Sequence, residues 1–70
     1  MKLALARGRL KEISGEVAKL AAEVREIGEG IETDSVAAAF ARQNIFAATA
    51  VLRDAAVDLR GIHIPRRRRA

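Results

Sequence analysis

A chain of 70 residues forms one domain at most, near the lower size limit for a self-sufficient core. With no cysteine and a single histidine, disulfides and the usual structural zinc site are excluded, which leaves association as the source of extra stability. The net charge is +4, the longest apolar runs fall far short of a membrane span, and no secretory signal precedes the first heptad, so a cytoplasmic protein is expected, with leaderless secretion as the alternative.

The first predicted element is a helix over about residues 2–28. Leu3, Ala6, Leu10, Ile13, Val17, Leu20, Val24 and Ile27 follow one another at alternating spacings of three and four, the pattern that keeps one apolar stripe along a slightly underwound helix. Gly28 and Gly30 raise the cost of continuing and mark its end. Gly8, Gly15 and Ala22 lie seven residues apart on the side opposite this stripe. They form either a smooth strip for a close helix neighbour or a compositional accident. The helix is basic at its start and acidic at its finish, the reverse of what its dipole favours.

A short connection over about residues 29–33 follows, so the next helix is expected to run back antiparallel to the first. Thr33, Asp34 and Ser35 are three consecutive candidates for its cap, with Thr33 or Asp34 preferred. Helix 2 is predicted over about residues 34–60, with Gly61 as the left-handed residue that ends it. Its stripe is Ala38, Ala41, Ile45, Ala48, Leu52, Ala55, Leu59 and Ile62. Folding the chain at the glycine-rich break sets the two stripes face to face, with Leu10 beside Ala55 and Leu20 beside Ile45. A shift of one heptad would match the stripes equally well, so the break sets the register.

Helix 2 is apolar over more of its circumference than one stripe requires. Val36, Phe40, Phe46, Ala50 and Val57 lie outside the predicted stripe and are the candidate residues for an oligomer or partner interface. Arg42, Arg53 and Arg60 line up along one edge of the same helix. Residues 63–70 are expected to be a disordered basic tail, because Pro65 forbids further helix and Arg66, Arg67, Arg68 and Arg69 form a charge run. These seven arginines are the candidate anion-binding residues. In the hairpin, the end formed by residues 1–12 and 53–70 carries ten cations against three carboxylates, and residues 13–52 carry three cations against six. The hairpin therefore has a basic terminal end and an acidic loop end.

Catalytic chemistry is missing. His63 has no cysteine partner, and Ser14, Thr33, Ser35 and Thr49 have ordinary surface or capping roles. The glutamate pairs Glu12/Glu16 and Glu23/Glu26 lie off the stripe and lack the Glu-x-x-His pattern of bundle metal sites. Gly28-Glu29-Gly30 lacks the flanking strand and later glycine of a phosphate-binding loop. No enzyme activity, metal or cofactor is expected. In outline the hairpin resembles the plasmid copy-control RNA-binding hairpin and the Trp-Xaa-Gly hairpin. It carries no residue motif of the former and no tryptophan, so the likeness is one of architecture alone.

The sequence thus predicts an all-α, coiled-coil-like antiparallel hairpin that dimerises into a four-helix bundle. The function expected is non-catalytic protein–protein interaction, through self-association (a dimer favoured) or through a helical protein partner. The alternative is a small regulator that binds nucleic acid through the basic end and arginine tail, although no aromatic side chain lies near the tail to stack on bases.

Overall fold

The computed structural model describes residues 1–63, so the arginine run and most of the predicted tail lie outside the described residues. Two helices, α1 (Leu3–Gly30) and α2 (Val36–Gly61), pack against each other as a hairpin, and the described residues contain no strand. The antiparallel course is fixed by two contacts. The Ser14 hydroxyl donates to the Ala56 carbonyl at 2.7 Å, and a side chain built on Gly28 would meet Ile45 and Phe46.

The break lies slightly later than predicted. α1 runs through Gly28 and stops at Gly30, where Ile31 turns extended and its N–H donates to the Gly28 carbonyl. The helical cost of Gly28, about 1 kcal/mol against alanine, is offset by the contact its missing side chain permits. α2 begins at Val36, and its cap is Ser35 rather than Thr33 or Asp34. Ser35 is extended, and its Oγ accepts from the Ala38 N–H at 3.1 Å. A cap must immediately precede the first helical residue, and only Ser35 does. Asp34 therefore stands outside the helix, and the first turn of α2 holds no acidic residue. Gly61 is also not the left-handed stop expected. It is helical, no described glycine has a positive φ, and α2 ends because Ile62 turns extended.

The larger correction concerns which residues meet. The buried positions on α1 are Ser14, Ala21 and Gly28, and those on α2 are Thr49 and Ala56. Each set repeats every seven residues, and each member stands one residue after a predicted stripe position: Ile13, Leu20 and Ile27, then Ala48 and Ala55. Ser14 stands against Ala56 and Gly28 against Ile45 and Phe46, which leaves Ala21 to face the stretch around Thr49. The predicted layers would have set Ser14 level with Val51 and Gly28 level with Ala37, so the observed partners lie five to nine residues further along α2, roughly 7–14 Å along the axis. The helices meet through shoulders of the stripes because the small side chains there let the backbones approach. Dispersion contact and the Ser14–Ala56 hydrogen bond both require that approach.

Candidate functional site

Helix geometry decides where the displaced stripes go. Residues one position before a buried contact point about 100° to one side of it, and residues one position after it point about 100° to the other. Ala18, Ala22, Arg25 and Glu29 of α1 line a groove with Thr49, Arg53, Ala56, Val57 and Arg60 of α2. Apart from Thr49 and Ala56, which belong to the buried strip itself, these lie on its trailing side. Leu20, Ile27, Ala48 and Ala55 must therefore lie on the opposite side of the hairpin.

That opposite side is the apolar face. Leu10, Ile13, Val17 and Val24 of α1 are half-buried along it, as are Ile45, Leu52, Ala55 and Leu59 of α2. Further out, Leu20 is 53% and Ile27 62% exposed, and Leu3 and Ile62 are each about half exposed. The two stripes do share one side of the hairpin, as the pairing of periods requires. They form an open face rather than a closed seam. Nothing larger than threonine is fully enclosed between the helices.

Gly28 shows how close the helices come. A Cβ there would stand 2.9 Å from Ile45 Cγ2 and 2.9 Å from Phe46 Cε1, closer than real side chains tolerate. Ile45 lies on the apolar side of that notch and Phe46 on the groove side. Phe46, expected outside the intramolecular contact, is thus half-buried against α1. The other four candidate interface residues, Val36, Phe40, Ala50 and Val57, are exposed. Val36, Ala50 and Val57 share one row with Gln43, which interrupts it, and Ala50 and Val57 line the groove. Gly8 and Gly15 have open space where a side chain would go, so they serve no close approach within the hairpin.

The groove carries the charge. Arg42, Arg53 and Arg60, the helical members of the candidate anion-binding set, all line it, together with Arg25. Arg66 to Arg69 lie outside the described residues. The cations are not alone there: Arg25 Nε donates to Glu29 at 2.9 Å, and Glu26 and Asp54 line the same walls. The Arg42 guanidinium sits over the Phe46 ring, 5.2 Å from its centroid, a cation–π geometry. Its Nε is buried and has no hydrogen-bond partner.

Ser14 and Thr49, expected to be ordinary surface or capping residues, are both buried. Thr49 returns its hydroxyl to the Ile45 carbonyl at 2.9 Å and so needs no partner across the interface. The available signal was the recurrence of small residues at 14, 21 and 28, which the bulkier neighbouring stripe obscured. Neither described helix is long and apolar enough to cross a membrane. Comparison with protein-family models, with curated proteins and with solved structures found no match.

Proposed function

We propose that this protein is a non-catalytic interaction module, a helical hairpin whose apolar face is completed by further helices to give a four-helix bundle. One observation carries this: the enclosed strip consists of serine, alanine, glycine and threonine, while Leu20 and Ile27 are more than half exposed. Fully burying a leucine or isoleucine stabilises by about 1.5–3 kcal/mol. A hairpin that leaves Leu20 and Ile27 open on one face therefore keeps part of that gain for association.

Sedimentation or light scattering at micromolar concentration tests the proposal. The purified protein is expected to form an assembly larger than one chain. Leu20→Glu combined with Ile27→Glu is expected to reduce it to monomer while leaving the α1–α2 strip untouched. A wild-type monomer with full helicity and a cooperative melt would refute it.

A second reading, a small nucleic-acid-binding regulator, is favoured by the convergence of Arg25, Arg42, Arg53 and Arg60 on one groove. Because the chain has no tyrosine or tryptophan, bound nucleic acid would dominate its ultraviolet absorbance. A purified protein free of such absorbance, and without salt-sensitive binding to duplex or single-stranded probes, removes this reading.

A further inference from the structure

We infer that the occupant of the apolar face is a second copy of this chain lying head to tail, the loop end of each hairpin over the terminal end of the other. The inference rests on the interaction-module reading and adds the partner and its orientation.

Charge selects the orientation. Among the described residues, the terminal end (1–12 and 53–63) holds six cations against three carboxylates, and the loop end (13–52) holds three cations against six. The two ends are thus +3 and −3. Head-to-tail pairing brings unlike ends together twice, whereas pairing in the same direction sets like against like at both ends. Packed helices stand about 8–10 Å apart, comparable to the screening length of about 8 Å at physiological ionic strength, so the ends are close enough to interact. The same polarity explains the placement that opposes the α1 dipole, where the first turn has no acidic residue and the last turn no basic one. That arrangement is unfavourable within one chain and is answered by the partner.

Area and symmetry agree. The face runs about 40 Å along the helices, and the hairpin is 14 Å by 13 Å across its Cα atoms. With side chains this offers roughly 600–800 Å², near the area of about 800 Å² that each partner gives to a stable interface. A twofold axis lying in the interface at right angles to the helices closes the assembly at two copies. About that axis α1 lies along α1 of its partner in the opposite direction. Leu20, near the middle of the stretch shared by both helices, then meets its own counterpart, and Ile13 meets Ile27 seven residues to either side.

Because the chain has no cysteine, introduced thiols report these contacts alone. Under mild oxidation Leu20→Cys is expected to give a covalent dimer by itself. An equimolar mixture of Ile13→Cys and Ile27→Cys is expected to give a mixed covalent dimer that neither variant forms alone. The wild-type dimer should dissociate several-fold more readily when salt is raised well above physiological strength. A dimer in which Leu20→Cys links to Ala48→Cys and not to itself overturns the head-to-tail orientation while the interaction-module reading stands. A wild-type monomer at micromolar concentration overturns both.

Discussion

The strip between the helices and the face beside it contain residues one position apart in the same heptads, yet they do different work. Ser14, Ala21 and Gly28 are enclosed, while beside them Ile13 is half-buried and Leu20 and Ile27 are more than half exposed. On α2 the same division separates Thr49 and Ala56 from Ala48 and Ala55. The strip holds the hairpin together by proximity, and the face keeps Leu20 and Ile27 open. Hydrophobicity therefore did not choose the contact positions within this chain; side-chain size did. A stripe of leucine and isoleucine would hold two backbones apart, whereas glycine, alanine and serine let them close.

The sharpest way to break that contrast is Gly28→Val. Its side chain would enter the notch between Ile45 and Phe46, and overpacking of this kind costs about 1–3 kcal/mol. The urea midpoint is expected to fall by the upper part of that range. An unchanged midpoint would show that the helices do not depend on close approach there. A smaller loss, about 0.5–1.5 kcal/mol, is expected for Ser14→Ala, which removes the hydrogen bond to Ala56 but leaves its carbonyl the intrahelical partner. The better helix propensity of alanine offsets part of this. Gly15→Ala supplies the opposite sign. Nothing lies within 4 Å of a Cβ at that position, so the change should stabilise by somewhat less than about 1 kcal/mol through helix propensity alone. If Gly15→Ala destabilised the protein as Gly28→Val does, Gly15 would have a close neighbour in the assembly that the single hairpin lacks.

Surface ion pairs belong to neither region and contribute little. Arg9–Glu12 and Arg25–Glu29 both have good geometry at 2.9 Å, but all four side chains are more than half exposed, where such pairs are worth only a few tenths of a kcal/mol.

Much of this molecule could be read before folding. The two helices, the turn between them and the antiparallel course follow from heptad spacing, a cluster of capping residues and glycine at the break. The sharing of one side by Leu10, Val17, Val24, Ile45, Leu52 and Leu59 follows from the same period. Local chemistry also left some choices open. Thr33, Asp34 and Ser35 are equivalent caps until the first helical residue is known, and an exposed helix end can finish at Gly61 without a left-handed turn.

The sequence by itself determined period, direction and the division into a basic and an acidic end, because these depend on residue types and their order along one chain. Only the tertiary structure decided the rotation of each helix about its axis, the register and the enclosure of Ser14 and Thr49. Those depend on how closely two backbones can approach. That distance is set jointly by side chains far apart in sequence, Gly28 against Ile45 and Phe46, Ser14 against Ala56. A heptad pattern counts the apolar positions of one helix but carries no measure of the space left by the other.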